Sequence, residues 1–284
     1  MVFSDKPFAA EPIIDVNVLK GQFHQYYNCL SEEEMQPYKI ILCSRLTHHK
    51  AEESEKLVLI YGSVLIIIKN NNETISKLKL DYNDINFFVG ETGSTVNSIT
   101  IDYKSGLKER IFYDDMASGL VNGLLLELRE KLVEKVSDSQ RSDLSDPAFS
   151  DAEENTYFGA LVAREAVMDK AAVLCSLKQK KVYNHPGLLF SKVITQTHFT
   201  LLCKKEVLIF MERASTRENH NLEGDLLYIS LSSLRNVSLE ATGKGMLLKY
   251  AFNTERVVEL FYENESTDQL LKFMSYINSM TARP

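Results

Sequence analysis

Residues 57–69 read LVLIYGSVLIIIK and form the most apolar stretch of the chain. A membrane-spanning helix needs about 20 apolar residues, whereas this stretch is interrupted by Gly62-Ser63 and flanked by the polar sequences EESEK and NNNE. The residues after Gly62-Ser63 are mostly β-branched, which favours strands. The stretch therefore predicts two strands joined by a tight turn, and its unbroken hydrophobicity predicts that both faces of the hairpin are covered.

The same hairpin recurs later in the chain. LLCKKEVLIFME at 201–212 matches VLIYGSVLIIIK at 58–69, with Val64 aligned to Val207 at an offset of 143. From residue 80 onward the offset is 149, since LDYNDINFFV (80–89) matches ISLSSLRNVS (229–238) and RIFYDD matches ELFYEN. A constant offset over such a length predicts an internal duplication.

A polar segment separates the two copies. Residues 137–155, SDSQRSDLSDPAFSDAEEN, are rich in serine and acidic residues, a composition typical of a solvated linker. We therefore predict a first domain at 1–136, an acidic linker at 137–155 and a second domain at 156–284. Each domain is predicted to begin with an apolar helix, at 16–30 and 157–168, and at least one of these helices is expected to lie buried in an interface between the copies.

Each copy is predicted to contain seven short strands and a C-terminal amphipathic helix. In the first copy the strands are placed at 39–46, 57–61, 64–69, 74–80, 84–89, 97–103 and 107–113. In the second copy they are placed at 171–178, 197–203, 206–213, 225–231, 234–240, 245–252 and 256–262. After the last strand of each copy the apolar residues recur at helical spacing. The pattern predicts a mainly β fold with helices (α+β), in which each bent sheet is covered by its helix.

This order resembles the pleckstrin-homology (PH) superfold, and in particular its bacterial PH-like and GRAM-type branch. The residues that carry the resemblance are Val207-Leu208-Ile209-Phe210, Ser232-Ser233-Leu234 and Val237 in the second copy, and Val64-Leu65-Ile66-Ile67, Asn83-Asp84-Ile85 and Phe88 in the first. The resemblance implies two PH-like barrels, each of seven bent antiparallel strands with a C-terminal helix. The chain has no Trp, whereas eukaryotic PH domains usually carry one in that helix, so the resemblance points away from a eukaryotic-type phosphoinositide receptor.

Composition and motifs argue against catalysis and nucleic-acid binding. The net charge of −7 disfavours a nucleic-acid partner. The sequence lacks the signatures of nucleotide-binding loops, serine hydrolases and zinc proteases. The four cysteines form no C-x-x-C pair and the first residues lack a signal-peptide pattern, which predicts reduced thiols in the cytoplasm. We therefore expect a non-enzymatic protein with no cofactor and no metal.

One region of the second copy breaks the charge balance. Between residues 178 and 205 the chain has no acidic residue and six lysines, namely Lys178, Lys180, Lys181, Lys192, Lys204 and Lys205. The resemblance places this region where phosphoinositide-binding PH relatives carry basic residues, so these lysines are the candidate site for an anionic ligand. The alternative is a solvated basic edge that prevents strand pairing. The equivalent region of the first copy, RLTHHKAEESEK at 45–56, is charge-mixed.

These observations favour a tandem PH-like scaffold that acts by binding a protein partner or by self-assembly. Peripheral binding of an anionic lipid or membrane surface through residues 178–205 is the alternative function. Either role places the protein in the cytoplasm or at the surface of a membrane.

Overall fold

A computed structural model describes residues 10–13, 17, 19–20, 24–37, 39–43, 46–48, 51–71, 74–92, 97–104, 106–113, 118–133, 173–187, 190–212 and 224–281. These residues form mainly antiparallel β structure with few helices. The strands of the first half are β1 (Ala10–Ile13), β2 (Lys39–Cys43), β3 (Leu46–His48), β4 (Ala51–Glu53), β5 (Glu55–Ile60), β6 (Val64–Asn70), β7 (Ile75–Asp81), β8 (Ile85–Thr92), β9 (Asn97–Tyr103) and β10 (Leu107–Tyr113).

The second half repeats this succession of strands. They are β11 (Val173–Gln179), β12 (Val182–Gly187), β13 (Phe190–Thr195), β14 (His198–Cys203), β15 (Glu206–Glu212), β16 (Gly224–Ser230), β17 (Leu234–Ala241), β18 (Gly245–Phe252) and β19 (Val257–Glu263). The α-helices are α1 (His24–Tyr27), α2 (Ser118–Val133), which follows β10, and α3 (Thr267–Thr281), which follows β19.

All fourteen strands placed from the sequence are present, with ends that differ from the predicted ones by a few residues. Three features escaped prediction: strand β1, the β3–β4 hairpin and the β12–β13 hairpin. Both hairpins lie in the connection between the first and second predicted strands of a copy. The first of them was hidden because β2 ends at Cys43 and β3 starts at Leu46, which reads in the sequence as one longer strand.

The repeat of elements extends to local detail. A 3₁₀ turn separates β7 from β8 at Tyr82–Asp84, and its counterpart separates β16 from β17 at Leu231–Ser233. The preceding side chain caps each turn: Asp81 accepts a hydrogen bond from a main-chain N–H two residues on, and Ser230 does the same. The bulge near the start of β8 also recurs near the start of β17. The predicted boundaries at 137–155 and the helix predicted at 157–168 lie outside the described residues.

The ladders correct the predicted alignment of the hairpin. Val64 pairs with Asp81, Glu206 pairs with Ser230, and Asp81 and Ser230 are 149 residues apart. Val64 therefore corresponds to Glu206 at an offset of 142, rather than to Val207 at 143. A one-residue slip matters because it exchanges the two faces of a strand.

Both faces of the β5–β6 hairpin are covered, as predicted. One face belongs to the central core and the other faces a separate apolar cluster that includes Leu19 and Tyr26. The fully buried residues of the two faces are Val58, Ile60, Leu65 and Ile67 on the first, and Leu57, Leu59, Ile66 and Ile68 on the second. The leading segment around α1 thus covers the outer face of the first half, and does not form the expected interface between the copies.

Strands from the two halves join in one seven-stranded sheet of order β10-β9-β8-β16-β15-β14-β11. At its centre β8 pairs antiparallel with β16, from Phe87 opposite Ile229 to Thr92 opposite Gly224. The other large sheets are β1-β2-β5-β6-β7 and β17-β18-β19. Of the predicted pair of seven-stranded barrels, the structure shows the antiparallel strands and the C-terminal helix, and it places strands of both halves in one continuous sheet through the β8–β16 ladder.

No ladder closes either half into a barrel among the described residues. Side chains bridge the gap instead. In the first half the Lys56 ammonium, on β5, donates a hydrogen bond to the main-chain carbonyl of Arg110, on β10. In the second half the main-chain N–H of Glu263 donates to the Gln179 side chain at 2.8 Å. Both bridges satisfy main-chain groups that a closed barrel would pair by strand hydrogen bonds.

Helix α2 packs against both halves. The buried residues of its apolar stripe are Val121, Leu124, Leu125, Leu128 and Leu132, and all belong to the central core. Near its end Arg129 donates to both carboxylate oxygens of Glu206 on β15, with its Nε 2.8 and 3.0 Å from them. The guanidinium carbon also lies 5.4 Å from the centre of the Tyr228 ring. The arrangement fixes the helix of the first half on the sheet of the second.

A second polar contact between the halves is buried beside the bulge of β8. The Asn86 amide donates to Asp102 Oδ1 at 2.7 Å and to the carbonyl of Lys104 at 2.8 Å, and it accepts from Thr254 of the second half. Arg256 Nε lies 3.4 Å from the other Asp102 oxygen. The fully buried Asp102 carboxylate of the first half is thus paired with Arg256 of the second half. Separation of the halves would remove this partner from Asp102.

We predict that Arg129→Met lowers the free energy of unfolding by roughly 3–5 kcal/mol, because it leaves the Glu206 carboxylate buried without its partner. The matched control is Lys39→Met. Lys39 pairs at 2.6 Å with Glu127 of the same helix, but both side chains are partly exposed, so the loss should be about 0–1 kcal/mol. Urea unfolding of both variants measures the difference, and equal losses would contradict the assigned role of Arg129.

Candidate functional site

The structure divides five of the six lysines predicted as a binding site between two ends of a strand ladder. Lys178 pairs with Phe199, whereas Lys204 and Lys205 form the turn after Cys203, at the opposite end of the β11–β14 ladder. About five residues of a strand separate the two ends, which is about 17 Å. Lys180 and Lys181 follow β11 directly and so stay with Lys178 at its end of the sheet.

The remaining contacts of this region are local. The Lys181 ammonium lies 5.3 Å from the centre of the Tyr183 ring. Lys192 lies on β13 opposite Asn184, and its side chain lies outside the described part of the structure. The Lys205 carbonyl accepts a hydrogen bond from the Leu231 N–H at 3.0 Å. Lys178, Lys180 and Lys181 therefore lie at one end of the β11–β14 ladder, and Lys204 and Lys205 lie at the other.

A different group of cations surrounds a polar pocket in the first half. The pocket has a volume of about 380 Å³, and its lining residues are Ser54, Lys56, Lys69, Asn71, Lys108, Glu109 and Arg110. They come from the start of β5, the end of β6 and the start of β10. Three strands that are distant in the sequence thus bring four basic residues and one acidic residue together.

Glu109 organises the charges of this pocket. Its carboxylate is almost completely buried, and it lies 3.1 Å from the Lys56 ammonium while also pairing with the Lys69 ammonium. Lys56 is buried with it, whereas Lys69 is partly exposed and Lys108 is exposed. Two ammonium groups therefore share one carboxylate, and Lys108 adds a further positive charge at the rim. Lys56 and Lys69 exceed the Glu109 carboxylate by one positive charge, and Lys108 adds one more at the edge of the pocket.

The Arg110 guanidinium is engaged elsewhere. Its Nη2 lies 3.1 Å from a Glu91 oxygen and its Nε donates to the Thr100 hydroxyl at 3.1 Å. Lys108 and Arg110 flank buried Glu109 on β10 and are both exposed, so both project from the face of β10 opposite to Glu109, and Lys108 lines the pocket only at its edge. The charge available to an anion is therefore that of the lysines.

The second half has no such pocket lining at the equivalent positions. The ladder register matches Lys56 with His198, Lys69 with Met211 and Glu109 with Val258. The fold can therefore be built with neutral and apolar side chains there. The basic residues that line the pocket of the first half are therefore not required by the fold.

His198 shows what the second half places at the position of Lys56. Burial lowers the pKa of the His198 imidazole to about 4, although the Gln196 carbonyl, 3.0 Å from its Nδ1, acts in the opposite direction. The ring packs edge-on against Tyr262 at a centroid distance of 4.8 Å. Burial also raises the pKa of Tyr262, so that phenol stays neutral. The second half thus carries a neutral, aromatic interior where the first carries a buried ion pair.

Sequence reasoning missed the pocket because its residues are dispersed. Lys56 and Lys69 flank the apolar hairpin, and Lys108 lies about forty residues further on, in a segment with mixed charges. Only the strand pairing brings them together. The local run of lysines in the second copy was a stronger sequence signal, and it directed the prediction to the second half, where Lys178 and Lys204 lie at opposite ends of a ladder.

No protein-family model and no curated protein matches this chain. Within the described residues, none of the helices is both long and apolar enough to cross a membrane. The same part of the chain contains no group of three or more histidine, cysteine, aspartate or glutamate residues placed to hold a metal ion.

We predict that His198 makes the protein less stable as the pH falls from about 6.5 to about 4. The pKa is lower in the folded state, so the unfolded chain binds the proton first and folding free energy is lost as acid is added. The loss amounts to roughly 3 kcal/mol over this interval. Unfolding of the protein and of His198→Phe, measured at several pH values, tests this. An unchanged pH dependence in the variant would contradict it.

Proposed function

We propose that this chain is a non-enzymatic, tandem PH-like binding protein that holds a phosphate-bearing anion in the lysine pocket of its first half. The observation that carries the proposal is a pocket in which Lys56 and Lys69 pair with one buried carboxylate and Lys108 lies at the edge. The order of elements supports the PH-like assignment, because each half has a series of strands, then a 3₁₀ turn, three further strands and a helix.

The charges suit an anion better than a cation or an apolar ligand. The Ser54 and Asn71 side chains line the same pocket and can donate hydrogen bonds to phosphate oxygens. An anion near Lys69 and Lys108 would compete with Glu109 for Lys69 and leave Lys56 with Glu109. The pocket can therefore accept an anion without leaving the buried carboxylate unpaired.

The lysines favour a point-charge mode of recognition. An ammonium group contributes about 1 kcal/mol at an anionic surface, and lysine lacks the bidentate geometry by which arginine selects a planar partner. We therefore expect salt-sensitive binding of modest strength. The bound group could be a soluble phosphate compound or the headgroup of a lipid, since both offer the same phosphate chemistry.

The proposal moves the anionic site predicted from the sequence. Lys178, Lys180 and Lys181 are separated from Lys204 and Lys205 by the length of a strand, whereas the pocket lysines face one volume. In the second half, uncharged Val258 and Met211 occupy the positions equivalent to Glu109 and Lys69, so the corresponding surface lacks these charges. The β8–β16 ladder joins the two halves, and we refer to it as the joint. It would hold the two surfaces in a fixed relative orientation when a partner binds.

We predict that inositol hexakisphosphate binds the protein in a salt-sensitive manner, and that Lys69→Gln combined with Lys108→Ala weakens binding about 30-fold, since two ammonium contributions are lost. Isothermal titration calorimetry at low and moderate salt measures this. Vesicles of phosphatidylcholine with and without phosphatidylserine distinguish a lipid headgroup from a soluble phosphate compound.

Two control variants make the result specific. Lys204→Ala removes an exposed lysine outside the pocket and should leave binding unchanged. Lys180→Ala with Lys181→Ala tests the basic region of the second half. If this pair abolishes binding while the pocket variant retains it, the pocket assignment is wrong.

Protein binding is a second candidate function. The outer edges of β7 and β17 have no strand partner among the described residues, and an exposed edge can accept an extended peptide as an added strand. Amide hydrogen exchange of residues 75–81 and 234–241, measured with and without a captured partner, tests this function. Protection confined to other strands would argue against it.

A further inference from the structure

The joint between β8 and β16 has counterparts that the molecule leaves unused. By the repeat, β17 is the counterpart of β8, and β7 is the counterpart of β16. Within the described residues β7 pairs only with β6, and β17 pairs only with β18. The chain therefore carries a second pair of strands equivalent to β8 and β16, with β7 on the first half and β17 on the second. The β7 of one molecule could pair with the β17 of another in the same way.

The internal joint shows what such an addition requires. On the face toward α2, Tyr228 lies opposite Phe88 and Leu226 lies opposite Gly90. A Cβ at Gly90 would lie 3.5 Å from Leu125 of α2, an ordinary van der Waals contact, so the helix covers this face directly. The joint is thus closed by apolar contacts on the side of the helix.

The opposite face of the joint is apolar as well. Leu227 lies opposite Val89 and Ile229 lies opposite Phe87; Leu227, Ile229 and Phe87 belong to the core of the second half, and Val89 packs against it. Every side-chain pair near the middle of the joint is therefore apolar on both strands.

The two free edges differ at these positions. An offset of 149 transfers the register of the joint onto β7 and β17 of a second copy. On one face Lys77 would meet Leu239, and Lys79 would meet Val237. On the other face Leu78 would meet Ser238, and Leu80 would meet Asn236.

Each of these four pairs contains one polar residue. Burying a lysine or an amide against an apolar side chain without a partner is unfavourable, so the match of the backbones is cancelled by a mismatch of the side chains. Lys77 and Lys79 are also held in place, since their ammonium groups lie 2.8 and 3.5 Å from the Glu34 carboxylate.

The ion pair of the internal joint is also missing from the free edges. Arg129 and Glu206 link α2 to β15 beside the joint. The repeat places Asn278 and Val64 at the corresponding positions, and these two side chains cannot form an ion pair. A second use of the joint would therefore lack both the apolar pairs and the charged contact of the first.

We propose that the outer edges of β7 and β17 form a latent interface for a second copy of this chain, which Lys77, Lys79, Asn236 and Ser238 keep closed. The two edges are different surfaces of one molecule, so pairing would be head-to-tail and would extend into chains of molecules. Because of these four polar residues, the β8–β16 pairing forms within each chain, whereas the equivalent β7–β17 pairing between molecules does not form. This inference is independent of the anion pocket.

Two variants test the proposal by complementation. The first, Lys77→Leu with Lys79→Tyr, gives the β7 edge the residues of β16. The second, Asn236→Phe with Ser238→Val, gives the β17 edge the residues of β8. We expect the unmodified protein to be monomeric in sedimentation velocity, and the two variants when mixed to form a complex at least roughly tenfold tighter than either variant forms with itself. A chain with all four changes should form concentration-dependent polymers.

A matched control distinguishes specific strand pairing from nonspecific hydrophobic association. Lys249→Leu with Glu259→Tyr places the same apolar residues on paired positions of β18 and β19 whose side chains reach solvent. Mixed with the β17 variant, it should form no complex. Equal association by the control, no gain on mixing, or polymers of the unmodified protein would each overturn the proposal.

The β7 variant deprives Glu34 of both lysines and could lose its fold, which circular dichroism would reveal. In that case Lys79→Tyr alone, mixed with the β17 variant, is the test, because Lys77 then still pairs with Glu34. A complex weaker than the one expected for the full pair but stronger than either variant alone supports the proposal. The absence of any complex overturns it.

Discussion

The antiparallel pairing of β8 with β16 is the constraint on which the arrangement of the molecule depends. It joins three strands of the first half to four of the second in one sheet, and it places the apolar stripe of α2 over strands of both halves. Once the ladder is formed, Arg129 reaches Glu206 and Asn86 reaches Thr254. These polar contacts are stable because the surrounding core excludes water, and the core is continuous because the ladder holds both halves in register.

The same ladder explains how two copies of one pattern acquired different surfaces. Main-chain pairing defines the strands in both copies, down to the capped 3₁₀ turns and the bulge. Side chains at corresponding positions then differ according to their surroundings. At one position a buried lysine is paired with Glu109, and at its counterpart a histidine packs on Tyr262. The edge strands differ in the same manner, with apolar residues where the halves meet and polar residues where they do not.

Much of the secondary structure could be predicted from the sequence, because apolar periodicity and turn residues are local signals. The hairpin of Leu57–Lys69 was recognised from its Gly-Ser turn, and its covered faces from its unbroken hydrophobicity. The β12–β13 hairpin was missed because its residues carry no strand alternation that stands out from the lysine run. The offset of the hairpin was wrong by one residue, since similarity of Val64 to Val207 is a weaker constraint than the hydrogen-bonded register.

The sequence by itself determined the order of the strands, the terminal helices and the duplication, because each of these is encoded within short segments. Only the tertiary structure decided which strands share a sheet and which lysines share a pocket. Lys56, Lys69 and Lys108 line one pocket because β5, β6 and β10 lie close together, and no local sequence pattern indicates that proximity. In this protein the basic side chains that share one pocket lie in the half whose sequence lacks the lysine run.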